Sequence, residues 1–215
     1  MHIENAQGVY GTQMFTIRRE QGRLAEVAPV FKKFVDENPA EATWRPGLAL
    51  IASDLGFLAP ARKVFDQMAE DGFKIAHDAK RSATLSYLAE VCARLQDRKR
   101  AEMLYKILQP YAELTITMGL TTVCYGAAAR FLGLLSATFE DWETAAAHFE
   151  VAIVKNSELR AWPWLAHSQA DYAAMLRARG DRSDSSRIEE LLHSASSAAA
   201  QHDMVLLQGR VAALR

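Results

Sequence analysis

Residues 79–114 read AKRSATLSYLAEVCARLQDRKRAEMLYKILQPYAEL, and the spacing of their apolar residues decides the fold. In the first half, Leu85, Leu88, Ala89 and Cys92 fall at i, i+3, i+4 and i+7, which lays one apolar stripe along a helix. In the second half, Ala101, Leu104, Tyr105 and Leu108 repeat that spacing. Asp97 lies between them, where a carboxylate caps the incoming helix. The stretch is therefore a helical hairpin: helix over 79–95, short turn, helix over 99–114.

The same block recurs on either side. A turn residue is followed nine positions later by a large apolar one at Gly22/Phe31, Gly56/Phe65, Gln96/Tyr105 and Glu140/Phe149. A fifth pair, Gly180/Leu191, carries two inserted residues. Five positions past the first four turns stand Val27, Ala61, Ala101 and Ala145. Seven or eight residues before each turn come Met14-Phe15, Leu48-Ala49, Leu88-Ala89, Leu132-Gly133 and Tyr172-Ala173. In four of these pairs the second member is small, as it must be where two helix backbones cross closely. Phe15 breaks the rule and marks the first block as worn or as a cap. Asp141 and Asp181 occupy the capping position of Asp97 in later blocks, and Asn38-Pro39 closes the first.

The aromatic-to-aromatic spacing is 34 residues from Phe31 to Phe65, then 40 to Tyr105, 44 to Phe149 and 42 to Leu191. No single hairpin buries its own apolar face, so neighbours must bury it for one another and at least three are needed. The expected architecture is all-α: a right-handed superhelix of about five antiparallel helix pairs, over residues 8–39, 41–73, 79–114, 119–157 and 160–202. A last helix over 204–214, with Val205, Leu206, Leu207, Val211 and Leu214, is expected to cover the open end of the core. One segment competes. Leu114-Thr115-Ile116-Thr117 and Leu120-Thr121-Thr122-Val123 are rich in β-branched residues and suit a strand hairpin turning at Met118-Gly119. The helical register of the flanking blocks favours instead a loop over 114–118 and then the next helix.

Bulk composition narrows the function. Lys plus Arg number 25 and Asp plus Glu 26, a balance that provides no global field for nucleic acid or an anionic membrane. Cys92 and Cys124 are the only cysteines and form no CxxC pair, which points to a reducing compartment. Residues 1–5 show neither a basic region nor an apolar run, and no stretch of about 20 apolar residues suits a membrane span. A cytoplasmic protein is expected.

The blocks resemble tetratricopeptide repeats over about Tyr10 to Leu214. The second half is more particular: Leu132-Gly133-Leu134-Leu135, Trp142-Glu143-Thr144-Ala145, Ala147-His148-Phe149-Glu150, Trp164-Leu165-Ala166-His167, Asp171-Tyr172-Ala173 and Arg177-Ala178-Arg179-Gly180-Asp181. This run is similar to the C-terminal tetratricopeptide-like tail of large bacterial signalling proteins, the ATP-binding LuxR-type regulators and the class III nucleotide cyclases that carry an ATPase module. The resemblance implies a scaffold that senses an inducer or a partner protein. It brings no ATPase, because GxxxxGK[ST] is absent, and no helix-turn-helix with a basic recognition helix stands out. The chain reads either as such a tail or as a freestanding relative.

In tetratricopeptide proteins the first helix of each pair lines the concave face. Counted from the small crossing residue, the inward positions here include Asp54, Ser86, Glu90, Arg94, Arg130, His167 and Arg177. Arginines beside acids suit a peptide or an anionic ligand through charge-assisted hydrogen bonds, although the same residues also suit solvated helix faces. The subclass that clamps chaperone C-termini uses Lys and Asn on these helices; the comparable positions here, Pro46, Ser86, Arg130 and Ala170, and Leu50, Glu90, Leu134 and Ala174, include no Asn, so that partner is not expected. Trp162-Pro163-Trp164 suits an aromatic ligand platform, which adds Trp164 to the candidates, or packing between repeats with Pro163 starting a helix.

His167 and Asp171, four apart, share a helix face and make half of a general-base arrangement, with no Ser or Cys nucleophile placed to complete it. His148, His193 and His202 fit no zinc-ligand spacing. The expected function is thus a non-enzymatic protein-interaction or effector-sensing module with no cofactor, no metal and no direct nucleic-acid or membrane partner. Its partner is a protein or peptide, or alternatively a small effector, and self-association is compatible with the fold. The competing readings are an assembly or regulatory tail and a hydrolase using the His167 region.

Overall fold

The five repeated turn residues share one backbone state. Gly22, Gly56, Gln96, Glu140 and Gly180 have φ of 70°, 81°, 52°, 64° and 76° in the computed structural model, which describes residues 3–37, 45–119 and 122–215. This left-handed conformation ends a helix and sends the chain back, and it explains why glycine fills three of the five positions. The helices on either side are α1 (Ile3–Glu20) and α2 (Leu24–Glu37), α3 (Arg45–Asp54) and α4 (Leu58–Glu70), and α5 (Arg81–Leu95) and α6 (Arg98–Leu108). Then come α7 (Ala128–Thr138) and α8 (Trp142–Glu158), α9 (Trp162–Arg179) and α10 (Ser185–Gln201), and finally α11 (Val205–Ala213). Short 3-10 turns at Gln109–Tyr111 and Arg182–Asp184 follow α6 and precede α10. The molecule is predominantly helical.

The capping acids work as their positions require. Asp97 accepts from the Arg100 amide at 3.2 Å, Asp141 from Thr144 at 3.2 Å and Asp181 from Ser183 at 2.9 Å. The repeated small residues lie at close crossings: Ala49, Ala89 and Ala173 are fully buried. A Cβ on Gly133 would stand 2.9 Å from the Phe149 ring, so the small residue and the aromatic nine past the turn occupy the same contact. Phe65, Phe149 and Leu191 are buried, whereas Tyr105 is half-buried with its hydroxyl 2.9 Å from His148 Nε2. The side chain of Phe31, together with Asn38, Pro39, Trp44, Leu120 and Thr121, lies outside the described residues and side chains.

The segment after α6 departs from expectation, and α6 itself stops at Leu108 instead of running to 114, a 3-10 turn with Pro110 taking over. In place of a loop and an early helix, β1 (Thr115–Met118) pairs antiparallel with β2 (Val123–Ala127), and α7 begins only at Ala128. The β-branched residues that favour this have a tertiary reason to extend, since Ile116 and Tyr125 are both buried against the helices. The ladder is irregular between Thr115 and Thr117, and Gly126 turns with φ of 75°. A Cβ there would lie 2.6 Å from Trp164 Cβ, so only glycine lets the strand reach α9. Buried Asn156 of α8 fastens the junction, accepting from the Ala127 amide at 2.9 Å and donating to Trp164 O at 3.3 Å and Ser168 Oγ at 3.1 Å.

Among the described residues the two large apolar clusters of the core share the flank of Leu134, and Ala127, Ala129 and Ala152 form a small third. One large cluster is built from α1 to α7 with the hairpin and Trp164, the other from α8 to α11. Leu207 and Val211 of α11 are buried in the second cluster, while Val205 is exposed. The start of α11 also lies beside the turn after α1: a Cβ on Gly22 would meet Val205 Cγ1 at 3.3 Å. The first and last helices are therefore neighbours.

Candidate functional site

Six of the eight sequence candidates come together, and they do so as a charge network in the interior. Arg130 of α7, 2% exposed, donates from Nε to Asp171 Oδ2 at 2.7 Å and from Nη1 to Glu90 Oε1 at 2.8 Å. Asp54, at the end of α3, is covered at its side chain and lies 2.5 Å from Arg94 Nη2, an ion-pair contact without hydrogen-bond alignment at Oδ1. His167 of α9 is 1% exposed and stacks on Trp164, with ring centroids 5.4 Å apart. Arg130 also faces the Trp164 ring, 6.0 Å from its centroid.

Four members lie outside that candidate set. Arg19 and Glu20 end α1. Arg19 donates from Nε to Asp54 Oδ2 at 2.6 Å and from Nη2 to Glu90, and Glu20 Oε2 meets His167 Nε2 at 2.8 Å. Arg210 of α11 donates to Asp171 Oδ1 at 2.5 Å. Asp171 itself is the fourth: its spacing from His167 suggests a pair with that ring, but its hydrogen bonds go to the two arginines. The available signal was the phase of each helix: Asp171 is one turn beyond His167, and Arg19-Glu20 falls just before a repeated turn residue.

Two candidates stand apart. The Ser86 hydroxyl turns back to Ala83 O at 2.7 Å within α5. Arg177 reaches the Arg215 carbonyl at 3.4 Å near the chain end and joins none of these pairs. Trp164 is packed between His167 and Tyr125, whereas Trp162 is exposed, so the platform reading of Trp162-Pro163-Trp164 gives way to packing, with Pro163 in the first turn of α9.

Burial raises the pKa of Glu90, Asp171 and Glu20, but their neighbours reverse the balance. Burial pushes Glu90 up, and Arg19 and Arg130 more than offset it, leaving the carboxyl well below the usual range. Asp171 is lowered on net by Arg130 and Arg210 against the same burial penalty. Glu20 is lowered on net as well, burial being outweighed by His167 and Arg19. Arg94 differs: burial, joined by the like charges of Arg210 and Arg19, outweighs Asp54 and lowers its pKa. Cys92 is an apolar packing residue, its thiol pushed up to about 12 by burial and then by the Asp97 charge.

The network opens on one side into a cavity of about 510 Å³ bounded by α5, α7, α8, α9 and α11. Glu90, Arg130 and Asp171 form its charged floor, Leu134, Phe149 and Met175 an apolar wall. Arg94 and Arg210 stand at its rim with side chains 30% and 31% exposed. This arrangement can orient an acidic group on the rim arginines while apolar atoms rest on the wall. A second hollow of about 610 Å³ lies between α4 and α6, where Arg62 and Arg100 pair with Asp97 and Arg100 also with Asp66, but its apolar lining is only Ala69 and Met103.

Among the described residues no group of three or more His, Cys, Asp or Glu side chains is arranged to hold a metal ion, and no helix is long and apolar enough to cross a membrane. No family model, curated protein or solved structure matches this chain.

Proposed function

We propose that this protein is an interaction module: a tetratricopeptide-like right-handed superhelix of about five antiparallel helix pairs, capped by α11, whose groove receives a protein segment. A small anionic effector is the alternative occupant. The observation that carries the reading is the charge network joining α3, α5, α7, α9 and α11 and ending at two half-exposed arginines over an apolar wall. Each rim arginine holds one buried acid, Arg94 with Asp54 and Arg210 with Asp171, and keeps about a third of its side chain exposed beside the cavity, where a ligand can reach it. The likeness of residues 132–181 to signalling-protein tails supports a sensing or assembly role within a larger regulatory system. A hydrolytic role for His167 is disfavoured by its burial and by the Glu20 contact at Nε2.

The test uses peptides selected against the full chain from a random display library, with affinities measured by calorimetry. The reading expects acidic-apolar peptides whose binding weakens at least tenfold in Arg210→Gln and in Arg94→Gln. Equal affinity for both variants and the parent chain would place binding elsewhere and overturn it.

A further inference from the structure

Helix α1 sits against the interior charge network as a ligand sits. Its face carries Phe15, Thr16, Arg19 and Glu20, and polar and ring contacts from that face reach α3, α5, β2 and α9. Phe15 packs edge-on against Tyr87 at 6.0 Å, and the Thr16 hydroxyl meets Tyr125 Oη at 3.1 Å. This explains why Phe15 replaces the small residue of the other blocks: its side chain is turned into the molecule's interior as an anchor.

We infer that α1 is a displaceable internal occupant, and that a partner helix bearing an aromatic residue, an arginine four positions on and a carboxylate next to it docks in its seat. The inference rests on the interaction role proposed above and names the partner's chemistry. Three observations carry it.

First, the network keeps an even count of charges when α1 leaves. Asp54 loses the Arg19 hydrogen bond but keeps its ion pair with Arg94, Glu90 retains Arg130, and Asp171 retains Arg130 and Arg210. Second, the seat is imperfectly matched: among the described residues Glu20 Oε1 and His167 Nδ1 are buried without a hydrogen-bond partner. Third, α1 is a weak helix by composition. It holds Gly8 and Gly11 in its interior among β-branched Val9, Thr12, Thr16 and Ile17. Among the described residues a Cβ at Gly11 would have nothing within 4 Å, and its φ is not in the left-handed region, so neither their packing nor the backbone requires glycine there. That glycine lowers the helix equilibrium about fivefold relative to alanine.

The experiment uses the full chain and a fluorescent, end-blocked peptide of residues 3–20. In native-state hydrogen exchange, the amides of residues 12–20 should exchange at least tenfold faster than those of α5 and α7; equal protection would overturn the inference. The peptide should bind, and a peptide carrying Arg19→Gln should bind at least tenfold more weakly. Gly11→Ala in the chain, a change that favours folding of α1, should weaken peptide binding by up to about fivefold. Indifference to either substitution would overturn displacement. Should the chain form a concentration-dependent dimer that Gly11→Ala suppresses, the seat belongs to α1 of a second copy and the partner assignment fails. If displacement fails while display-selected peptides still depend on Arg210, the groove reading survives on its own; if those peptides ignore Arg210 as well, both fall.

Discussion

Arg130 is the residue on which the interior charge depends. Its guanidinium binds Glu90 and Asp171 at once and lies against the Phe131 ring, 4.9 Å from its centroid. Removing it leaves two buried carboxylates short of a partner, which costs far more than the pair contributes. Arg130→Met is expected to lower unfolding free energy by about 3–5 kcal/mol in urea titration, whereas Arg210→Gln, at the rim, is expected to cost about 1 kcal/mol or less. Similar losses for the two would mean that the network is solvated. The inward positions of Asp54, Glu90, Arg94, Arg130 and His167 were legible because a helix repeats its faces every 3.6 residues. What each of them meets was not, since their partners lie up to 147 positions away, as Glu20 does from His167.

At the scale of elements, the turns are the most legible feature because one backbone state serves all five. Gly180 adopts φ of 76° in the open, where a Cβ would meet nothing within 4 Å, so Gly180→Ala introduces backbone strain alone. It should destabilise by about 1–2 kcal/mol, and Gln96→Gly, relieving a φ of 52°, should stabilise by about 1 kcal/mol. Thermal melts that move in the opposite directions would refute the shared-turn account. The strand hairpin was harder to read. Its β-branched run was visible, but the preference for helix or strand was settled by Tyr125, which meets Tyr87 and Trp164 edge to face, and by Asn156 on the Ala127 amide. These are contacts from distant elements, and local propensity does not contain them.

At the scale of the molecule, α1, α3, α5, α7, α9 and α11 meet in one ionic centre, so acid acts on the whole assembly. Glu20, Glu90 and Asp171 are all held below the ordinary carboxylate range. A depressed folded-state pKa contributes stability that is complete above the unfolded value, about 4, and is lost as pH falls through the folded values. For these groups the urea midpoint should stay level from neutral pH to about 5 and fall below about 4. In Arg130→Met, with the cation gone from Glu90 and Asp171, that acid-dependent fall should shrink. An undiminished fall would show that other carboxylates cause it.

Taken by itself, the sequence determined the helices, their turns and caps and the faces they bury, because these depend on spacing and backbone conformation within a few residues. Residues 79–114 already contained most of that, the early end of α6 at Leu108 excepted. Only the tertiary structure decided that β1 and β2 replace a loop and that Trp164 packs inward. It alone brought Arg19 and Glu20 of α1 to the charge network that the later helices build. The physical reason is range: periodicity is a property of neighbours along the chain, whereas a charge in the interior is fixed by whatever opposite charge the fold places within about 3 Å of it.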